Sequence, residues 1–205
     1  MSDGAEARLP AVRVAGVVLA AGTASRMGGS KVTLPVDGRA MVARVVDAAL
    51  GSRLVETVVV VGNDADEVGE LLRDRPVRTA RNAEFARGMS TSMQVGLRAV
   101  GHECDGVLFL LADQPFVTTA LIDLLIGAFA GSEQAIVRPE VLGRPANPVL
   151  MPARLFAELL EESGDRGGRR VLERHADEVR TVRVHDPLLV TDVDSPDDYE
   201  RARQR

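Results

Sequence analysis

Three apolar runs, each closed by a turn and followed by a helical pattern, constrain the fold more than any other feature. They are Val12 to Ala20, "ETVVVVG" at Glu56 to Gly62, and "GVLFLLADQP" at Gly106 to Pro115. A near-continuous apolar strand has both faces buried, whereas a strand with one face in water alternates. Helical spacing fills the intervals. Ala40 to Leu50 is one segment. A second starts at Asp64, with Glu67 three residues on as in a capping box, and Val68, Leu71 and Leu72 on its buried face. A third begins near Ser90-Thr91-Ser92 and carries Met93, Leu97 and Val100. A fourth, capped by Thr118 or Thr119, holds Leu121, Leu124, Leu125 and Phe129. Strands alternating with helices mark βαβ units. The expectation is an α/β chain of three layers, Rossmann-like, with a mostly parallel sheet.

The rest of the chain fits one domain. Val77 to Ala80 reads as a short strand. "AIVRPEVLGRPANPVLM" reads as short strands around a Gly/Pro turn, followed by helical segments at Leu155 to Leu160 and Arg169 to His175 and a last strand. In "TDVDSPDDYERARQR", Ser195 suits an N-cap, Pro196 the first helical position, and Asp198 the partner in a capping box. Residues 1–11 read as a loose tail and 12–205 as a single domain. Aromatic residues are 3% of the chain and Trp is absent, so Val, Leu, Ile and Ala must build the core.

Several classes of function are disfavoured. A net charge of −5 is unsuited to a nucleic-acid partner, because a phosphate backbone selects basic surfaces. No stretch reaches the length of a membrane span, and "MSDGAEARLPA" lacks the apolar region of a secretory signal. Cys104 is the single cysteine, so no intramolecular disulfide forms and a reduced, cytoplasmic setting is expected. Cys104 itself reads as a bystander thiol.

The first apolar run opens into "VVLAAGTASRMGGSKVTLP", residues 17–35. Ligands of open α/β sheets bind at the carboxyl ends of strands. Gly22, Gly28 and Gly29 let backbone N–H groups approach an anion, and Arg26 and Lys31 add a guanidinium fork and a mobile point charge. A P-loop would place Lys directly after Gly, which it does not. Gly22-Thr23-Ala24 breaks a dinucleotide fingerprint. An ordinary βα turn with surface cations stays open as the plain alternative.

The spacing that does exist, L-A-A-G-x-x-x-R-M-G-x-x-K from Leu19 to Lys31, resembles the signature of the MobA-like nucleoside triphosphate transferases. Within them it is most similar to the molybdenum cofactor cytidylyltransferases. Five further segments follow in the family's order: "NAEFARGMSTSMQVGL" from Asn82, "LLADQP" ending at Pro115, "GRPANPVLM", "GDRGGRRVL" and "DVDSPDDY". The resemblance implies a nucleotide-diphospho-sugar transferase type of fold and a specific reaction. CMP passes from CTP to the terminal phosphate of molybdopterin, and pyrophosphate leaves. It also implies Mg²⁺, with Mn²⁺ as a substitute, and a molybdoenzyme or its accessory protein as a further partner.

The resemblance assigns roles residue by residue. Leu19, Ala20, Ala21, Gly22, Arg26, Lys31, Asn82, Ser92 and Asp113 form the nucleotide site, with Arg26, Lys31 and Asp113 catalytic. Asp113 and Asp194 hold the metal, and Asp192 is a weaker candidate. Asn147, Asp165 and Arg169 face the acceptor, together with Arg166. Structural alternatives stand beside several of these: a turn cap for Asp113, a turn amide for Asn82, a helix-start hydroxyl for Ser92 and a solvated helix start for residues 165–169. Asp198 is assigned to capping and Asp197 to solvent. Asn147 stands where many relatives carry His, which puts the acceptor in doubt, and Ala112 stands where Gly is frequent. Leu-Ala-Ala-Gly resembles the cytidylyl enzymes, whose guanylyl relatives carry Gly in place of Ala21. The expectation is that the Ala21 methyl faces the base and favours a pyrimidine. His102 and His175 read as surface residues and His185 is unassigned. Other readings are a transferase for a different phosphorylated acceptor, a nicotinamide-dependent oxidoreductase and a module that carries the molybdenum cofactor without turnover.

Overall fold

The computed structural model describes residues 12–22, 30–101 and 103–204. In chain order the strands are β1 (Val14–Ala20), β2 (Pro35–Val36), β3 (Arg39–Ala40), β4 (Thr57–Val61), β5 (Arg78–Arg81), β6 (Gly106–Leu111), β7 (Ile136–Val141), β8 (Arg144–Pro145), β9 (Val149–Pro152) and β10 (Val179–Arg183). The α-helices are α1 (Met41–Leu50), α2 (Ala65–Leu72), α3 (Met89–Ala99), α4 (Thr119–Ala130), α5 (Phe156–Glu161), α6 (Arg169–Arg174) and α7 (Pro196–Arg203). The main sheet runs β10-β7-β9-β6-β1-β4-β5, with β8 paired to β7. β1 is parallel to β4 and β6, β5 to β4, and β10 to β7. β9 runs antiparallel between β6 and β7. β1, β4, β5 and β6 therefore end at one edge of the sheet, from which the turns after β5 and β6 begin.

The two faces of β1 explain its unbroken apolar run. Val14, Val18 and Ala20 pack with α1, α2 and α4, and Ala15 and Val17 pack with α3, α5 and α6. Helix α3 lies so close to β1 that a Cβ on Gly96 would come within 2.4 Å of a Val17 methyl carbon. A third cluster of Val36, Met41, Phe116, Val193 and Ala202 seats α7 against the β2–β3 hairpin. Tyr199 strengthens that seat by donating from its hydroxyl to the Pro35 carbonyl at 2.9 Å. Among the described residues no helix is long and apolar enough to cross a membrane.

The helix-end expectations divide. The Thr118 hydroxyl accepts from the Leu121 N–H at 3.2 Å, and Ser195 and Asp198 form the full capping box. The box expected at Asp64 and Glu67 does not form. Asp64 sits at φ −95°, ψ 30° rather than in the extended region that aims a capping oxygen into the first turn, and its carboxylate accepts from Asn63 instead. Leu71 and Leu124, expected inside, are exposed at 37% and 48%. Each lies one helical step outside the stripe formed by its buried neighbours.

Two hairpins have two-residue loops with positive φ at both positions: Asp37-Gly38 (48°, 74°) and Leu142-Gly143 (51°, 74°). This is the geometry in which Asn or Asp is favoured first and Gly second. Leu142 breaks the preference while 85% exposed, so no packing offsets its strain. Leu142→Asn should raise stability by ~0.5–1 kcal/mol, since left-handed backbone costs a leucine ~1–2 kcal/mol and Asn less. A urea titration checks this, and a lower midpoint for the Asn variant would contradict it.

His175, expected at the surface, is held on both ring nitrogens, by Glu178 at 2.7 Å and Glu158 at 2.9 Å. These bonds raise its pKa above the ordinary 6.5, with Glu178 contributing most, and the bond to His175 lowers that of Glu158. A raised folded-state value stabilises fully below the unfolded value and is lost as pH rises through the folded one. The depressed carboxylate sets the lower limit, because its contribution is lost as pH falls through its folded value. His175→Gln should therefore lose more stability relative to wild type at pH 6 than at pH 9. An equal loss at both pH values would show that the imidazole charge contributes nothing.

Candidate active site

The site is assembled from three chain segments that sequence separates widely. β1 ends at Ala20, and a 3₁₀ turn at Lys31–Thr33 returns the chain to the same edge. Asp113 lies two residues past the end of β6, and Asp194 directly precedes the N-cap of α7. The Lys31 ammonium donates to Asp113 Oδ2 and to Asp194 Oδ1, both at 2.8 Å. The lysine side chain is largely buried, Asp113 partly so, and Asp194 faces solvent.

Gln114 brings the C-terminal segment to this place. It is 2% exposed, and its amide donates to the Val190 carbonyl at 3.0 Å and to Asp192 Oδ1 at 2.9 Å. The Val193 N–H donates to the Asp113 carbonyl at 3.0 Å. With α7 fixed by its capping box and apolar seat, Asp194 has little freedom to sit elsewhere. Sequence reasoning assigned no role to Gln114. Its signal was a long amide at the exit of an apolar strand, where only a buried partner justifies it.

Electrostatics follow from this crowding. Burial pulls the Lys31 pKa down, but Asp113 and Asp194 outweigh it and hold it above 10.5. Lys31 is therefore charged at any working pH. Asp192 is pushed up to about 6 by burial and then by the Asp113 charge, against the opposing Gln114 bond. Two carboxylates on one cation offer hard oxygen donors. Among the described residues no three His, Cys, Asp or Glu side chains converge as a metal set. A two-carboxylate pair fits an ion such as Mg²⁺, which keeps water and takes phosphate oxygens from a substrate.

The other expected residues are distributed unevenly. Arg26, Gly28, Gly29 and His102, like the 1–11 tail, lie outside the described residues. Among the described residues, a Cβ on Gly22 would meet nothing within 4 Å. Ala21 differs. It is 5% exposed, in the cluster with Val60 and Met93, and fits against Gly62, where any Cβ would come within 3.1 Å of it. Its methyl is core packing, because β1 keeps its two-faced alternation one residue past its last ladder bond. Asn82 is 2% exposed. Its amide donates to Thr91 and Ser92 hydroxyls at 2.8 and 2.9 Å, and its oxygen accepts from the Glu84 N–H at 2.9 Å. As placed, Asn82 and Ser92 fasten the start of α3 to the end of β5.

Beside the lysine–carboxylate cluster is a cavity of about 420 Å³ whose wall includes Leu19, Leu111, Asn147, Arg166 and Arg169. Arg169 is exposed and pairs with Glu173 at 3.3 Å. Asp165 instead abuts Gly88, whose φ of 111° and missing Cβ admit the carboxylate. Arg138 also lines the cavity, and sequence reasoning passed over it, although it is a lone cation in the strand "IVRPEV". Cys104 is partly buried, and burial raises its pKa, which suits an inert thiol.

A family model described as "MobA-like NTP transferase domain" matches residues 16–179. The purine catabolism protein PucB of Bacillus subtilis is 28% identical over 92% of this chain and 95% of its own length. The nicotine blue oxidoreductase of Paenarthrobacter nicotinovorans is 29% identical with the same coverage. Among solved structures, the homolog of Mycobacterium tuberculosis Rv0371c from Mycobacterium sp. strain JC1 superposes with a TM-score of 0.82. It is 30% identical and covers 94% of this chain and 96% of its own.

Proposed function

Because the chain belongs to the MobA-like NTP transferase family, a nucleotidyltransferase family, we propose that it transfers CMP from CTP to the terminal phosphate of molybdopterin and releases pyrophosphate. The observation that carries this reading is the Lys31 ammonium held at 2.8 Å by both Asp113 and Asp194 at the edge where β1 and β6 end. Nucleotidyl transfer needs such a place, because charge builds on oxygens around the attacked phosphorus and catalysis is mostly positioning and cationic stabilisation. Lys31 and Arg26 contact the triphosphate. Asp113 and Asp194 hold a divalent ion, Mg²⁺ or Mn²⁺, which when bound neutralises phosphate charge. The backbone at Gly22 admits the nucleotide. The acceptor's phosphate enters from the cavity past Leu19 and Leu111.

Preference for CTP rests on the Leu19-to-Gly22 string and no longer on ring room beside Ala21, whose methyl is buried. CTP, GTP, ATP and UTP offered at equal concentration with molybdopterin test it. Pyrophosphate release greatest with CTP is the expected result, and a preference for another nucleotide would sink the cytidylyl reading while leaving transfer itself. One relative is named an oxidoreductase, which favours a second reading, reduction, for which a nicotinamide cofactor is the reductant we propose. The broken fingerprint at Gly22-Thr23-Ala24 opposes it. Consumption of NADPH in the absence of any nucleoside triphosphate would establish it.

A further inference from the structure

Among the described residues, Arg138 is the one half-buried cation that stands apart electrostatically. Lys31, Arg44, Arg75 and Arg154 are comparably buried, and each reaches a carboxylate. Arg138 has a single hydrogen bond among the described residues, from Nε to the Ala146 carbonyl at 3.0 Å, and no ion pair. Its two terminal nitrogens have no protein partner among the described residues. A guanidinium partly withdrawn from water without a counter-charge is costly, and an anion that reached it would offset that cost. Burial alone perturbs this group and pushes its pKa down.

The surroundings specify the kind of anion. Leu19 pairs with Leu111 in the β1–β6 register. Phe109 pairs with Val149 in the β6–β9 register. Val137 pairs with Leu150 in the β7–β9 register. Continuing those registers lines up Leu19, Leu111, Asn147 and Glu140 across four strands, and sets Arg138 opposite Val149, two residues back along β7. Arg138 lines one cavity with Leu19, Leu111 and Asn147, and Leu111 lies two residues before Asp113. The wall of that cavity includes the thioethers of Met89, Met93 and Met151. Thioethers are polarisable and pack well against ring edges.

We propose that Arg138 fastens the anionic group of the acceptor, and that the methionine wall takes a flat, polarisable ring attached to that group. This rests on the transferase reading and assigns its acceptor a positioning residue, Arg138. Asn147 adds a neutral amide that can donate to the anion or to a ring carbonyl.

Calorimetric titration with phenyl phosphate and with inorganic phosphate tests this without turnover. Wild type should bind phenyl phosphate several-fold tighter than inorganic phosphate. Arg138→Gln should weaken phenyl phosphate binding roughly tenfold or more, since charge-assisted forks are the strong contacts. Arg138→Lys, which keeps the charge and loses the fork, should fall between them. The Gln variant should melt no lower than wild type, because it removes an uncompensated charge. Unchanged binding in the Gln variant, no saturable binding by wild type, or a lower melting temperature with binding intact would overturn the proposal. If the Gln variant does not fold, the Lys variant decides, and an unchanged Kd overturns it. Failure of the cytidylyl reading looks different: CTP and molybdopterin release no pyrophosphate, while Arg138-dependent binding of phenyl phosphate persists.

Discussion

Asp113→Asn should leave a folded protein whose nucleotide transfer is slowed at least ~100-fold, a barrier increase of ~2.7 kcal/mol. The residue has two duties that Asn performs unequally. As a hydrogen-bond acceptor for Lys31 at 2.8 Å, an amide oxygen suffices, and Lys31 keeps its second bond to Asp194. The Asp113 backbone carbonyl, which accepts from Val193, is untouched. Melting should therefore change little. As an anionic ligand beside triphosphate, a neutral amide fails, because it cannot balance a divalent charge. Asp194→Asn should act in the same direction. Pyrophosphate release under saturating CTP measures both variants, and more than about a tenth of the wild-type rate for each would remove these residues from the metal site.

Lys31→Met should have effects of opposite sign on two measurable quantities. Transfer should fall by ~10²-fold or more, with a raised KM for CTP, since charge-assisted phosphate contacts are worth ~1.5–3 kcal/mol and act here at a reacting group. Binding of Mn²⁺ without nucleotide should instead tighten. The ammonium now engages both carboxylates that would hold the ion, so the ion competes with it. Removing the lysine leaves two carboxylates close together with no cation between them. Titration of Mn²⁺ followed by its electron paramagnetic resonance signal reads the second quantity. Weaker Mn²⁺ binding in the Met variant would show that Lys31 organises the pair rather than competing for it.

Much of this was legible in the residues because local chemistry and global fold agree. The unbroken apolar runs of β1, β4 and β6 announced a sheet covered on both sides, and the sheet is so covered. Ser195, Pro196 and Asp198 form the cap that their spacing indicates. Less legible was whatever depends on long-range meetings. No spacing rule places Gln114 against Val190 and Asp192, or Lys31 between carboxylates 82 and 163 residues away. Ala21 was misread because a residue at a strand exit can point to either side, and only the register with β4 and Gly62 decides which. Asn82 and Ser92 are suited to bonding a ligand, yet they bond each other, since buried polar groups satisfy themselves wherever a partner is near. Arg138 was overlooked because a single cation in a strand carries no motif.

The central claim is attack at the α-phosphorus of CTP by an acceptor phosphate. The most direct measurement follows two labels in parallel reactions with molybdopterin and Mg²⁺, one on the α-phosphate of CTP and one on the γ-phosphate. The α-label should appear in the pterin product and the γ-label in pyrophosphate, in equal amounts. A γ-label in the pterin, or an α-label that stays entirely in cytidine nucleotides, would contradict it.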